Sequence, residues 1–182
     1  MRHIIVIGLN YAQIPYLRVI KDKGFYVIGI DGNPSAPGIP LVDFLICRGY
    51  DEHDEIERIF ISEEWLKPVA IFSAAAQFSH LLCARLASTY RLKYPSELLV
   101  YTLLDKSKFY KLFSDNGLPI PETKYVYNRD DLRALLNEYE QDSRFYVKSD
   151  FSKNPKYVYS GTAVELMNSN INWKIDSHFR AC

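Results

Sequence analysis

An open, doubly wound parallel α/β sheet, followed by a small α+β unit, is the fold class this sequence predicts. Three observations predict it. Short runs of β-branched and other apolar residues end in Gly or Asp, as strands buried on both faces do. Segments with apolar residues at helical spacing separate those runs, and regular strand–helix alternation implies a parallel sheet. After Tyr94-Pro95 the rhythm changes: two helices follow each other directly, then strands and helices alternate at shorter spacing. The expected division is a first unit of residues 1–97 and a second of residues 98–182.

His3 to Gly8 is the first buried strand, and Tyr11 to Lys23 reads as a helix with Ile14, Leu17 and Ile20 towards the sheet. Gly24 ends that helix. Phe25 to Asp31 is the second strand, Gly32 to Gly38 a long turn, and Phe44 to Cys47 a short third strand. Asp51 to Glu64 is a polar helix whose inner face is Ile56, Ile59 and Phe60. Pro68 to Phe72 is the fourth strand, and Ala75 to Tyr90 a helix with Phe78, Leu82 and Leu86 on one side. Glu97 to Leu104 is helical. Asp105 then caps a short basic helix that Asn116-Gly117 stops, and Pro119-Ile120-Pro121 continues as a stiff extended segment. Thr123 to Tyr127 is a strand, and Asn128 or Arg129 to Tyr139 a helix with Leu132, Leu135, Leu136 and Tyr139 on one face. Arg144 to Lys148 and Lys156 to Ser160 are further strands of an antiparallel sheet. The last dozen residues, from Ile171, neither close a core nor fray into a polar tail, so the chain is expected to be cut there.

Composition narrows the function classes. The 182 residues carry 22 basic and 22 acidic side chains, which predicts neither a nucleic-acid footprint nor a membrane-surface face. No stretch approaches the roughly 20 apolar residues of a membrane span. The three cysteines, Cys47, Cys83 and Cys182, are distant and odd in number, which points to a reducing, cytoplasmic compartment. Cys83 reads as a small core hydrophobe. None of His3, His53, His80 and His178 stands in a catalytic pattern.

Four features, in order, resemble the ATP-grasp carboxylate–amine ligases, a superfamily that includes biotin carboxylase and the large subunit of carbamoyl-phosphate synthase. The first strand ends in Gly8-Leu9-Asn10. The second ends in Asp31-Gly32-Asn33-Pro34-Ser35-Ala36-Pro37-Gly38, with Asp43 ahead of the next strand. Leu104-Asp105-Lys106 is followed by Gly117-Leu118-Pro119-Ile120-Pro121. Tyr146-Val147-Lys148 matches the strand whose lysine touches ATP. The resemblance covers nearly the whole chain, but only the first part of such an enzyme.

The resemblance implies a pre-ATP-grasp domain followed by the opening subdomain of the ATP-grasp fold. It implies that Lys106 approaches the phosphates or the adenine side, and that Lys148 binds the α- and β-phosphates. A lysine ammonium is a compact point charge suited to phosphate oxygens. Lys153 and Lys156 would add charge from the following loop. Gly8, Asn10 and Tyr11 would face the acceptor substrate at the strand ends, with Asp31 and Ser73 beside them. The complete enzyme would use ATP and Mg²⁺ to activate a small carboxylate as an acyl phosphate for attack by an amine-type nucleophile.

Two departures matter. The loop of residues 149–159 has no glycine before Gly161, although close wrapping of phosphate needs bare backbone. ATP binding by this chain is therefore expected to be weak or absent. The family's magnesium carboxylates lie beyond position 182, so no catalytic or metal-binding residue is assigned here and this chain alone is expected to be inactive. The expected partner is the missing C-terminal half or a second chain, and a homodimer is compatible with the reading. Two alternatives stay open. One is a non-catalytic binding module on a relic ligase fold. The other is a Rossmann-type dinucleotide-binding protein, against which Asn10 and Gln13 occupy the second and third glycine positions of the fingerprint.

Overall fold

The computed structural model describes residues 2–74, 77–149, 158–171 and 179–181. The chain divides into two compact units, Met1–Tyr101 and Thr102–Cys182. Among the described residues no helix is long and apolar enough to cross a membrane.

In the first unit, β1 (His3–Ile7), α1 (Ile14–Asp22), β2 (Tyr26–Ile30), β3 (Phe44–Ile46), α2 (His53–Ser62), β4 (Pro68–Phe72) and α3 (Ser79–Thr89) alternate. The four strands form one sheet in the order β3-β2-β1-β4, parallel throughout. Successive side chains of a strand point to opposite faces. Ile5 and Ile7 accordingly join Ile56 and Phe60 of α2 and Leu82 and Leu86 of α3 in one core. Ile4 and Val6 join Leu17 of α1 in the other. Two buried faces require an unbroken apolar strand, which is why β1 shows no alternation. The expected open, doubly wound parallel sheet is the fold found.

Helix starts differ from expectation. Tyr11–Gln13 forms a 3-10 turn, and α1 begins only at Ile14, with a proline in its first positions where no N–H is needed. Likewise α3 begins at Ser79 rather than near Ala75; residues 77 and 78 are a turn, and Ala75 and Ala76 lie outside the described residues.

α4 (Glu97–Leu104) leads into α5 (Lys106–Asp115). Asp105 caps α5 as expected, accepting from Ser107 N–H (2.9 Å) and Lys108 N–H (3.2 Å). Gly117 takes the left-handed conformation after it (φ 69°). The second sheet is antiparallel, in the order β5-β8-β6-β7, from β5 (Lys124–Val126), β6 (Arg144–Ser149), β7 (Val158–Thr162) and β8 (Phe179–Ala181). α6 (Arg129–Leu136) and α7 (Ala163–Asn168) cover it, with Leu132, Leu136, Val147 and Leu166 in a separate core.

The strand read from Lys156 to Ser160 is described as β7 from Val158, and Lys156 lies outside the described residues. One expectation for this unit is corrected. The last residues do contribute to the fold. Ile171 is buried, and β8 inserts between β5 and β6. A three-residue strand has too little pattern to be read, and its partners are distant in sequence.

Asp43, just before β3, ties that strand to its neighbours. Its Oδ2 accepts from Val27 N–H (2.7 Å), and its Oδ1 pairs with Lys21 Nζ. Burial alone pushes this carboxyl up. The Lys21 and Val27 hydrogen bonds and the Lys21 charge outweigh it and hold the group below the ordinary carboxylate range. A depressed folded-state pKa contributes stability above the unfolded pKa, and that contribution is lost as pH falls through the folded value. In urea titrations, wild type should therefore exceed Asp43→Asn in stability at pH 7. The gap should close as pH drops below about 4; a gap independent of pH would contradict this role.

Candidate functional site

β1 ends at Ile7, and the chain turns sharply at Gly8 (φ 82°), a conformation that costs an L side chain but not glycine. Gly8 N–H still reaches back to Ile30 O (2.8 Å), so the turn stays attached to β2. Asp31, directly after β2, then joins the loops that leave both strands. Its Oδ2 accepts from Leu9 N–H (2.6 Å) and its Oδ1 from Asn33 N–H (2.8 Å). Gly38 N–H returns to Leu9 O (2.7 Å), closing the second loop onto the first. Asn10 Oδ1 accepts from Ala12 N–H, and Asn33 Oδ1 from Ser35 N–H (2.9 Å). A Cβ on Gly32 would stand 3.2 Å from both N and Cα of Gly49, so the loop after β2 lies tightly against the loop after β3 and a side chain there would push the two apart by a few tenths of an ångström.

These loops enclose a pocket of about 380 Å³ at the carboxyl ends of β1, β2 and β3. Ligands of open α/β sheets bind at this end. Gly8, Asn10 and Asp31, named from sequence, line it together. Asn33, Gly32 and Gly49 line it as well, although sequence reading gave them no role. Asn33 could have been found from its place in the turn motif. Gly49 could not, because its relation to Gly32 exists only across the sheet.

The other two residues named from sequence stand elsewhere. Tyr11 is 80% exposed at the start of the 3-10 turn and does not line the pocket. Ser73 is buried. Its Oγ donates to Ile7 O (2.9 Å) and, having one hydrogen, accepts from Ser79 Oγ (2.6 Å). Ser73 thus secures the end of β1 rather than capping α3. Gln13, fully buried, donates from Nε2 to the same Ile7 carbonyl (2.9 Å). Its Oε1 is buried without a hydrogen-bond partner among the described residues. Gln13 therefore fills the space under Gly8, where a Cβ would meet its Nε2 at 3.6 Å.

The lysines named from sequence belong to the second unit. Lys106 is the first residue of α5, half-buried beside the Asp105 cap. Burial raises the Asp105 carboxyl, but hydrogen bonds from Lys108 and Ser107 outweigh it and keep it anionic. Lys148 lies on β6, half-buried, with Nζ 5.3 Å from the Tyr146 ring centroid, a cation–π distance. Lys153 and Lys156 lie outside the described residues, as does the loop that carries them. A wider groove of about 660 Å³ runs along α5, between Lys108, Tyr110 and Lys111 on one side and Ile120, Pro121 and Tyr125 on the other. Among the described residues no group of three or more His, Cys, Asp or Glu is placed to hold a metal ion, so no Mg²⁺ site is built from them. Burial pushes the Cys83 thiol up to about 11, so it is protonated at neutral pH and is no nucleophile.

No protein-family model and no curated protein matches the sequence. Solved structures do match the fold. One is N5-carboxyaminoimidazole ribonucleotide synthetase from Thermotoga maritima, at TM-score 0.72 and 20% identity, covering 100% of this chain and 45% of that one. Another is phosphoribosylglycinamide synthetase from Anaerococcus prevotii, at TM-score 0.67 and 18% identity, covering 99% and 44%. A third is L-amino acid ligase from Bacillus licheniformis, at TM-score 0.72 and 16% identity, covering 100% and 43%. The chain spans less than half the length of each. The fold is that of the amino-terminal part of ATP-grasp enzymes, as the resemblance implied.

The Asp31 bridge makes a direct prediction. Asp31→Ala strands the buried Leu9 N–H and should lower stability by about 1–3 kcal/mol in chemical denaturation. A loss under about 0.5 kcal/mol, as at an ordinary surface position, would show that the bridge is not needed.

Proposed function

We propose that this chain is the amino-terminal part of an ATP-grasp carboxylate–amine ligase of the cytoplasm. In this reading the crevice at the ends of β1–β3 receives the acceptor substrate, and Lys106 and Lys148 bind the phosphates of ATP. The observation that carries it is the fold likeness across essentially the whole chain, both units included, to enzymes of that kind. Two of the matching solved structures, an N5-carboxyaminoimidazole ribonucleotide synthetase and an N5-carboxyaminoimidazole synthetase, hold ADP.

The chemistry proposed is carboxylate activation. ATP supplies a γ-phosphoryl group to a carboxylate oxygen, giving an acyl phosphate and ADP. The amine nitrogen then attacks the carbonyl carbon, the C–N bond forms, and phosphate leaves with the carbon–oxygen bond electrons. This chain's own residues bind and orient. Lys148 and Lys106 place positive charge against the phosphates, and the strand-end loops hold the acceptor in a fixed pose. Positioning and charge neutralisation supply most of the rate in such transfers. Mg²⁺ would be held by residues other than those described.

Positional isotope exchange tests this reading. ATP labelled at the β,γ-bridge oxygen should scramble that label when the complete enzyme that contains this chain is given Mg²⁺ and an accepted carboxylate without amine, because reversible acyl phosphate formation frees the β-phosphate of ADP to rotate. In that complete enzyme Lys148→Ala and Lys106→Ala should each weaken ATP binding by about ten- to hundredfold, the value of a hydrogen bond to a charged group. Absence of scrambling with every carboxylate tried, in protein that binds ATP, would leave a non-catalytic module instead.

A further inference from the structure

We infer that the crevice at the ends of β1–β3 takes an unphosphorylated amine bearing a neighbouring hydrogen-bond acceptor, and excludes phosphorylated amines. This rests on the reading of that crevice as the acceptor-substrate site, and adds the chemical class of what enters.

The charge of the walls decides the class. Among the described residues that line the pocket, Asp31 alone is charged, and no Lys, Arg or His joins it. Asp31 uses one lone pair on each oxygen for Leu9 N–H and Asn33 N–H, which leaves each oxygen able to accept again. More negative charge stands at the rim. Asp51 Oδ1 lies 2.6 Å from where a Cβ on Gly49 would be, and Glu52 Oε1 accepts from Gly49 N–H (2.6 Å). The cation beside them, Arg48, offsets Glu52 (3.6 Å) and Glu55 (2.9 Å), and its Nη1 donates to Cys47 O. Arg48 does not line the pocket, so a phosphate brought here would meet the Asp31 and Asp51 carboxylates with no cation in the lining, whereas an ammonium group would meet a ready acceptor.

The two asparagines supply the second half of the recognition. Asn10 Oδ1 and Asn33 Oδ1 are turned to the backbone N–H groups of Ala12 and Ser35. That fixes the amide orientation and leaves the Nδ2 groups as the donors available at the pocket wall. The wall therefore offers acceptors at Asp31 and donors at Asn10 and Asn33. The ligand that fits carries an ammonium next to a carbonyl, carboxylate or hydroxyl oxygen. A pocket of about 380 Å³ has room for a compact molecule of this kind.

Amide-resolved NMR titration tests the inference with two probes of opposite charge, glycinamide and ribose 5-phosphate. Glycinamide should shift the amides of Gly8, Asn10, Gly32 and Gly49 in a saturable way, and ribose 5-phosphate should leave them unmoved. Asp31→Asn should weaken the glycinamide response by about tenfold or more. Because that change also touches a structural bridge, Asp51→Lys provides an independent arm at an exposed position. It should weaken glycinamide and bring on a response to ribose 5-phosphate. Binding of ribose 5-phosphate to the unaltered crevice, or no response to either probe, overturns the inference. The two readings fail separately. Isotope scrambling followed by coupling only to phosphorylated amines would retain the ligase and sink this inference. A glycinamide response without scrambling would do the reverse.

Discussion

Asp31 accepts two backbone N–H groups from two different loops, and the crevice depends on that arrangement. Each loop leaves the carboxyl end of a parallel strand, where the sheet's hydrogen bonding stops. The Leu9 amide is buried and has no sheet partner at that point, so it needs an acceptor from elsewhere in the chain. The carboxylate provides it and at the same time fixes the start of the turn at Asn33. Gly38 N–H to Leu9 O then closes the second loop over the first. A pocket edged by bare backbone can be held open only when its loops are tied in this way.

The layers beneath serve the same end. Ile7 O receives two side-chain donors, Gln13 Nε2 from nearby in sequence and Ser73 Oγ from after β4. Both are buried, so the end of β1 is secured by interactions that water cannot easily displace. Lys106 and Lys148, the lysines proposed to meet ATP, belong to the other compact unit, and the crevice lined by Asp31, Asn10 and Asn33 belongs to the first.

Much of this was legible from the residues. β1 and β2 announce themselves because a strand buried on two faces must be apolar without interruption; β4, at the sheet edge with Val69 exposed, shows the same apolar run. The Asp105 cap and the Asn116-Gly117 stop of α5 are local devices, readable without the fold. Gly8, Asn10 and Asp31 were identifiable because they stand just past strand ends. The start of α3 was misread because three alanines have high helix propensity, and nothing in the local pattern reveals the turn at residues 77 and 78. Ser73 was expected beside the acceptor substrate, yet its partners are Ile7 O and Ser79, which tie it to the end of β1. α7 carries a capping box at Thr162 and Glu165, a signal present in the sequence but missed beside the strand it follows. β8 and the Gly32–Gly49 approach are products of distant pairing, which no local pattern encodes.

The most direct measurement is native-state hydrogen exchange at the Leu9 amide. If the Asp31 carboxylate holds this N–H as described, Leu9 should exchange as slowly as the amides of β1, and Asp31→Ala should speed it selectively while the centre of β1 stays protected. Exchange of Leu9 in the wild-type chain at the rate of an open loop would contradict the account, because the strand-end loops would then lack the carboxylate bridge assigned to Asp31.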